Sequence, residues 1–337
     1  MENIKELNIN NTQTIESDGL DDLFVRVELD EEESEHIAAE PYSYWKSVFR
    51  VFIRKPSAII ALSVLALLIL GIIFIPMFAY GPVYDEAGNI ITADAFNFNL
   101  DIKNLAPSAQ HLWGTDNVGR DLFFITWKGA GKSLLLALAS SFIILILGTL
   151  FGLFWGYMKK LDWLFIELYN LVTNIPSLLI YMLLSIVFST SLVGVPVEVR
   201  LVLSLTMVGW LGLALLIRNQ VLIIDNREYN VASKTLGTPA GRIMFRNYLP
   251  YILGVIITEF SLLIPGMISS EVSLSYFGVG LVSDDISIGA ILQNGIAKFS
   301  DYPWQLLAPA FLLAVIIFIF FLLGTALSDA LDPKKHR

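Results

Sequence analysis

Residues 228–239 read Glu-Tyr-Asn-Val-Ala-Ser-Lys-Thr-Leu-Gly-Thr-Pro, and residues 247–250 read Asn-Tyr-Leu-Pro. This polar stretch lies between two long apolar segments. Charged side chains are frequent in the interval 218–250: Arg218, Asp225, Arg227, Glu228, Lys234, Arg242 and Arg246. So many charges are not tolerated in a hydrocarbon core. The sequence therefore predicts a surface loop that joins two membrane helices.

This loop has the residues for two helices separated by a glycine. Asp225 or Asn226 is suited to cap the first helix, because short polar side chains accept hydrogen bonds from the free N–H groups there. Gly237 is suited to end it, since glycine readily adopts the left-handed conformation found after helices. Thr238 would then cap a second helix with Pro239 at its first position, and the proline that closes the loop would end that helix.

The first loop helix has a small apolar stripe. Tyr229, Ala232, Ser233 and Leu236 are spaced i, i+3, i+4 and i+7, so they share one helical face. A short helix with such a face, held at the membrane surface, suits a groove on a partner protein. The alternative is an ordinary loop that contains two surface helices.

Composition places the chain among membrane proteins. It has 337 residues, of which 55% are hydrophobic and 16% charged, as is typical of a polytopic membrane protein. The absence of Cys excludes disulfides and thiolate metal sites, and the three His are scattered, so we expect no metal site. Residues 1–41 hold 13 acidic and 2 basic side chains. The net charge of −9 therefore belongs to a tail, which we predict to be disordered and cytoplasmic.

The apolar runs predict an all-α protein with six transmembrane helices. They lie near residues 57–80, 133–157, 163–188, 199–217, 251–270 and 305–327. Residues 42–56 form an amphipathic segment, predicted to be an interfacial helix, although an extension of the first span is nearly as well supported. Lys and Arg cluster near alternate ends of the spans, which places both termini and the 218–250 loop in the cytoplasm. Arg200 is an exception on the outer side.

The first outer loop, residues 81–131, precedes a core at 132–335 that holds the other five spans. Residues 83–92 could form a short hairpin. Residues 111–121 predict a tight turn with internal charge pairs, and a structural role is favoured over substrate contact. Residues 129–133 imitate the end of a phosphate-binding loop, but Thr126 occupies the position of the required first glycine. We therefore expect no nucleotide site there.

Polar side chains inside the spans are candidates for a translocation pathway. These candidates are Glu167, Asn170, Glu259 and Glu271. Local pairing, for example of Glu259 with Arg218, is the alternative and is somewhat better supported than substrate contact. Glycines recur every four residues on the second span at Gly148, Gly152 and Gly156, which permits close helix packing.

The loop resembles the EAA loop of ABC-importer permeases. That pattern is Glu-Ala-Ala, three residues, Gly, nine residues, Ile, one residue and Leu-Pro, and it matches here at Ala232, Gly237, Leu249 and Pro250. Three positions depart from it: Val231, Ser233 and Asn247.

Further motifs resemble the C-type permease of dipeptide and oligopeptide importers, over roughly residues 45–335. These stretches are Gly-Thr-Asp-Asn-Val-Gly-Arg-Asp at 114–121, Asp162, Pro-Ser-Leu-Leu at 176–179, Leu-Ser-Tyr-Phe-Gly-Val-Gly at 274–280, Pro-Trp at 303–304 and Asp-Ala-Leu-Asp-Pro at 329–333. Glu167, Asn170 and Ile288 depart from the family pattern, which usually has Arg, Asp and Trp there.

The resemblance implies the type I architecture of importer permeases and a place in the plasma membrane. It implies a complex with a second homologous permease, two cytoplasmic ATPases that bind ATP and Mg, and an extracellular peptide-binding protein, with no nucleic acid and no catalysis by this chain. The residues implied to contact the ATPases are Tyr229, Ala232, Ser233, Lys234, Leu236 and Gly237.

Other functions stay open at the level of sequence. The same scaffold could import nickel or glutathione instead of peptides. A membrane-embedded enzyme that uses Glu167 or Glu259, or a channel or sensor without an ATPase, is a more distant alternative.

Overall fold

The computed structural model describes residues 44–80, 83–84, 90–92, 96, 100–281 and 286–331. The predicted tail at 1–41 and the last six residues lie outside this part of the chain. The described region is built from helices, with one short hairpin on the predicted outer side, in agreement with the predicted fold class.

The helices follow one another in this order: α1 Tyr44–Arg54, α2 Pro56–Phe74, α3 Leu122–Tyr157, α4 Asp162–Thr173, α5 Ser177–Ser191, α6 Val197–Asp225, α7 Glu228–Thr235, α8 Ala240–Arg242, α9 Leu249–Tyr276, α10 Ile288–Ala297 and α11 Trp304–Leu331. Short 3₁₀ segments occur at Ile75–Tyr80, Leu100–Ile102 and Lys159–Leu161, and a π-helical segment occurs at Ile243–Tyr248.

Five helical stretches are long and apolar enough to cross a membrane: Pro56–Ala79, Leu122–Tyr157, Val197–Asp225, Ala240–Tyr276 and Trp304–Leu331. Each contains or closely matches a predicted span, but several extend well beyond it. The second starts at Leu122 rather than at residue 133, because the Asp121 carboxylate accepts the N–H of Phe123 at 2.9 Å and begins the helix there.

The predicted third span, 163–188, is broken in the structure. Lys159–Thr173 and Ser177–Ser191 meet at an angle of 81°. Pro176 lies at the start of α5, has no N–H to donate, and disfavours a helical conformation at Ile175. With this bent pair counted as one span, the described residues provide the predicted six.

The centre of the bundle is the contact between α3 and α6. Gly148, Gly152 and Gly156 lie on the contact face of α3, as predicted from their spacing. A Cβ on Gly152 would lie 2.7 Å from the Ala214 carbonyl oxygen, and one on Gly156 would lie 2.6 Å from the Val221 Cβ. The absence of side chains thus lets the two backbones approach closely.

The first two helices are separate, so the amphipathic segment is not an extension of the first span. Lys55 between them has an extended backbone, with φ −76° and ψ 128°, and Pro56 begins α2. On α1, Val48 is buried while Trp45 and Phe49 are exposed. The Lys55 ammonium pairs with Asp329 of α11 at 3.0 Å, which fixes the start of α2 against the last helix.

The predicted outer hairpin is present. β1, Val83–Tyr84, pairs with β2, Ile90–Thr92, in antiparallel register. The residues of its turn lie outside the described part of the chain.

Candidate coupling site

The first loop helix, α7, ends as predicted but starts differently. Gly237 has φ +75°, its N–H donates to the Lys234 carbonyl at 3.0 Å, and the Thr238 N–H donates to the Ser233 carbonyl at 3.1 Å. This pair of bonds is the Schellman arrangement, which satisfies carbonyls at a helix end. The residue before α7 is Arg227, which makes no side-chain cap. The predicted capping by Asp225 or Asn226 is therefore wrong, because α6 runs on to Asp225.

The second loop helix also differs from its prediction. Pro239 precedes the first helical residue, Ala240, and no side chain caps this end, so the roles expected for Thr238 and Pro239 are wrong. The helix does not end at Pro250. It is continuous over Ala240–Tyr276, and its π-helical turn lies just before that proline. A π turn changes the hydrogen-bond register, and so the missing proline N–H is accommodated.

A buried carboxylate joins the loop to the membrane helices. Asp225, at the end of α6, is 3% exposed. One carboxylate oxygen pairs with the Lys159 ammonium at 2.7 Å, and the other accepts from Lys234 of α7 and from the Tyr248 hydroxyl. We call these four residues (Asp225, Lys159, Lys234 and Tyr248) the Asp225 cluster. It holds α7 to the end of α6, to the 3₁₀ segment after α3 and to the π-helical segment before α9.

An amide pair lies beside this cluster. Asn230 is fully buried, and its Nδ2 donates to the Ile224 carbonyl at 2.8 Å. Asn247 Nδ2 donates to the Asn230 Oδ1 at 2.9 Å and lies 3.5 Å from the Ser233 hydroxyl. Asn247 stands where the EAA pattern has Ile, and in this chain its side chain makes a hydrogen bond there.

The structure divides the predicted coupling residues into two groups. Tyr229, Ala232 and Leu236 face outward, and Leu236 is 85% exposed. Ser233 is half-buried, and Lys234 is turned inward to Asp225. Val231, which the spacing argument missed, is also exposed, but Glu228 and Thr235 separate it from the predicted stripe. The network residues Asp225, Lys159, Asn230 and Tyr248 were also missed, because their partners are distant in sequence.

The four pathway candidates do not form one polar cluster. Glu167 and Asn170 lie on the exposed surface of the short helix α4. Glu259 is half-buried on α9. Its suggested partner, Arg218, is instead bound by Asp162, with Nε to Oδ1 at 2.9 Å. Arg218 therefore closes the turn between α3 and α4, so that local-pairing alternative for Glu259 is wrong.

Glu271 is buried in the interior. It is 0% exposed, and its Oε1 accepts the Ser275 hydroxyl at 2.9 Å. Ser133 of α3 and Ser287 lie beside the same carboxyl group. Glu271 thus lies among serines of three segments rather than on an open surface.

The outer turn at 111–121 has the internal charge pairs that the sequence predicted. Asp116 accepts the backbone N–H of Arg120 at 2.8 Å and its Nε at 2.7 Å. His111 Nδ1 lies 2.8 Å from the Asp121 carboxylate. Gln305 of α11 reaches this turn and donates to the Thr115 carbonyl at 3.0 Å. These bonds give the turn a structural role.

The imitation of a phosphate-binding loop is helical throughout. Gly129 to Ser133 lie within α3, so no loop is present to surround a phosphate. Gly129 packs on the backbone between Ser287 and Ile288, and Lys132 pairs with Glu198 at 2.9 Å. Among the described residues, no three His, Asp or Glu are grouped as a metal site.

Several apolar helices long enough to cross a membrane, joined by a polar loop with a short surface helix, define an integral membrane protein. The chain belongs to the family described as the binding-protein-dependent transport system inner membrane component, which residues 148–337 match. Residues 43–107 match the N-terminal transmembrane domain of oligopeptide transport permease C. It is accordingly a multi-pass protein of the plasma membrane.

Curated relatives cover most of the chain. The oligopeptide transport system permease protein AmiD of Streptococcus pneumoniae is 33% identical over 93% of this chain and 97% of its own length. The oligopeptide transport system permease protein OppC of Bacillus subtilis is 32% identical over 90% of this chain and 94% of its own. The dipeptide transport system permease protein DppC of Bacillus subtilis is 36% identical over 71% of this chain and 73% of its own.

Proposed function

We propose that this chain is the permease subunit of an ATP-driven peptide importer, in which it forms half of the translocation pathway. The names of its relatives support peptides as the substrate class, and no feature of the described residues favours nickel or glutathione. The proposed partners are a second homologous permease, two cytoplasmic ATPases that bind ATP and Mg, and an extracellular peptide-binding protein.

The observation that carries the coupling role is the contrast between the two faces of α7. Its outer side exposes Tyr229 and, at the C-cap, Leu236, which belong to the predicted stripe, and Val231 is exposed beside them. Its inner face is held by Lys234 and Asn230, which bond to Asp225 and to the Ile224 carbonyl. A helix that exposes apolar surface while its other face is fixed is suited to dock in a partner's groove.

The physical mechanism follows from this bracing. When ATP brings the ATPases together, a helix bound in their grooves is displaced. The Asp225 cluster transfers that displacement to α6, which ends at Asp225, and to α9 through Tyr248, the last residue of the π-helical segment that leads into α9. The spans then change tilt, so that access alternates between the two sides of the membrane. The residues of this chain position α7 and transmit its displacement to the spans. ATP hydrolysis takes place on the partner subunits.

The docking face is tested with Leu236→Asp. A charge placed in a buried contact is expected to cost roughly 2–5 kcal/mol of binding free energy, so the ATPase subunits should no longer co-purify with the permease pair. Leu112→Asp is the matched control, because Leu112 is 58% exposed on the predicted outer side. Both proteins should insert normally. Full ATPase stoichiometry and full peptide uptake in Leu236→Asp would overturn the coupling role of α7.

A further inference from the structure

A small cavity opens between the predicted outer ends of three elements. It has a volume of about 230 Å³ and lies among the end of α5, the start of α6 and the turn that follows α9. Its lining includes Ser185, Ser189, Arg200 and the backbone at Gly278 and Val279. The Ser185 hydroxyl donates to the Val279 carbonyl at 2.5 Å, which joins α5 to the turn. None of these residues belongs to the coupling site.

Arg200 supplies the chemistry of this cavity. One terminal nitrogen, Nη1, donates to the Ser189 carbonyl at 3.2 Å. Its Nε is buried and has no hydrogen-bond partner among the described residues. A guanidinium carries five N–H donors, and the bond to the Ser189 carbonyl uses only one of them. The guanidinium therefore has further N–H donors for an oxyanion such as a carboxylate in the cavity that it lines.

The charges nearby also favour an anion. Arg200 lies in the first turn of α6, a 29-residue helix whose N-terminus adds a partial positive charge. Glu198 in the same turn is the acidic group closest in sequence, but its carboxylate pairs with Lys132 at 2.9 Å. Lys132 compensates that charge, and so the cavity retains the positive charge of Arg200.

The depth of the cavity determines whether its carboxylate ligand belongs to a folded protein surface or to the end of an extended peptide. Its lining extends from exposed Ser189 down to buried Ser185, four residues or roughly 6 Å along α5. A folded protein surface would meet the rim, whereas the end of an extended chain can enter. We propose that Arg200 binds the C-terminal carboxylate of the peptide at the outer mouth of the pathway. This assignment rests on the proposed peptide import.

A first test measures the electrostatics of the cavity without transport. The chain has no Cys, so Ser189→Cys gives a single labelling site at the rim. In the assembled complex, an anionic methanethiosulfonate should react severalfold faster than a cationic one. Arg200→Gln should abolish that preference, and Arg200→Lys should keep part of it. Leu112→Cys, on the same predicted side but away from the cavity, should show no dependence on Arg200. No anionic preference at position 189 would overturn the proposal.

A second test identifies the ligand. The assembled complex in vesicles, supplied with its binding protein, is offered one peptide with a free C-terminus and the same peptide as its C-terminal amide. Both are given at saturation of the binding protein. The free peptide should slow labelling of Ser189→Cys and the amide should not. Arg200→Gln should lower uptake of the free peptide severalfold and leave uptake of the amide unchanged.

Other results contradict the assignment in distinct ways. Equal protection by the two peptides, or protection by the empty binding protein alone, would show that a carboxylate at the peptide terminus is not what Arg200 binds. If ATPase co-purification and uptake are intact but the free peptide and its amide behave alike, the importer function is supported and the carboxylate site is wrong. If the permease never associates with ATPases, the proposed function fails, although the labelling result still holds.

Discussion

Two single residues determine the backbone direction of the coupling loop after α7 and the attachment of α7 to the bundle. Gly237 sets the direction in which the chain leaves α7, since it alone among the residues of that turn has a positive φ. Asp225 sets the position of α7 against the bundle, because its two oxygens serve three donors. Shape and position can therefore be perturbed separately by substitutions at these two sites.

Gly237→Val should weaken ATPase docking through the backbone alone. No described atom lies within 4 Å of the position that a Cβ would take, so the change creates strain rather than a clash. A side chain in the left-handed region costs about 1 kcal/mol or more, and a β-branched one is particularly unfavourable there. Gly237→Asn should be milder, because Asn tolerates this conformation. The measurement is ATPase co-purification with peptide uptake in vesicles.

The control for this substitution is Gly241→Val. Gly241 also has no described atom within 4 Å of its added Cβ, but it lies in α8 with ordinary helical backbone. It should retain near wild-type docking. If Gly237→Val and Gly241→Val behave alike, the left-handed conformation at position 237 is not what directs the chain.

Asp225→Asn should loosen the attachment of α7 without unfolding the bundle. The substitution removes the acceptor charge from Lys159 and Lys234, whose side chains are 54% and 33% exposed and can turn to water. We expect a loss of about 1–3 kcal/mol in stability, together with a larger loss of uptake than of ATPase binding. Thermal unfolding of the purified complex and uptake per bound ATPase measure the two effects.

Asp301→Asn provides the comparison for this charge removal, because Asp301 is exposed in the turn before α11. It should leave both measurements near wild type. If uptake by Asp225→Asn falls only in proportion to the amount of bound ATPase, the Asp225 cluster does not transmit movement.

At the scale of helices and loops, the sequence predicts those features that depend on the local spacing of residue types. The left-handed glycine, the apolar stripe of α7 and the glycine face of α3 all follow from residue identity at fixed spacing, and the structure has them. The contacts of Asp225 with Lys159 and Tyr248 depend on how distant segments meet, so periodicity could not find them. They were detectable only as isolated polar residues at the ends of apolar spans.

The break in the third span could not be detected from average hydropathy. Its two halves have enough apolar residues for one crossing, and a window average therefore joins them. Pro176 is the local residue that marks the break, but the break was not predicted from it, and the angle of 81° depends on packing. The structure places the predicted coupling residues on α7 and at its C-terminal end, whereas their contact with ATPases stays a prediction.

Gly152→Ala should weaken the contact between α3 and α6. The added Cβ would lie 2.7 Å from both the Ala214 carbonyl oxygen and the Ile217 Cβ, so the helices must separate or shift. Overpacking of this kind typically costs 1–3 kcal/mol. The thermal midpoint of the purified complex should fall, whereas Gly212→Ala, which meets no described atom within 4 Å, should leave it unchanged. An equal midpoint for the two variants would argue against close packing at position 152.

At the scale of the whole molecule, both proposed sites depend on the orientation of the chain in the membrane. We predict that the coupling loop lies in the cytoplasm and the Arg200 cavity outside, because Lys and Arg are concentrated on the side of the loop. The two sites lie at opposite ends of α6, since Arg200 is in its first turn and Asp225 is its last residue.

Cysteine labelling tests this orientation directly. A membrane-impermeant thiol reagent added to intact cells should label Leu112→Cys and leave Thr238→Cys unlabelled until the membrane is permeabilised. Leu112 is exposed and Thr238 half-buried, so both variants should be labelled once the membrane is open. The reverse pattern in intact cells would invert the topology and with it the assignment of both sites.

The helix that continues from the coupling loop has a consequence for movement. Ala240–Tyr276 is one helical stretch of 37 residues, about 55 Å long, so it reaches across the bilayer. Its inner end follows Gly237, and its outer end leads into the turn that lines the Arg200 cavity. The stretch also contains a π-helical segment at Ile243–Tyr248 and Pro265, which are the places where it can bend. If it pivots near the middle of the bilayer, a sideways displacement of one end produces an opposite displacement of the other, and the tilt angle of this one helix then sets both the position of the docking loop and the width of the outer cavity.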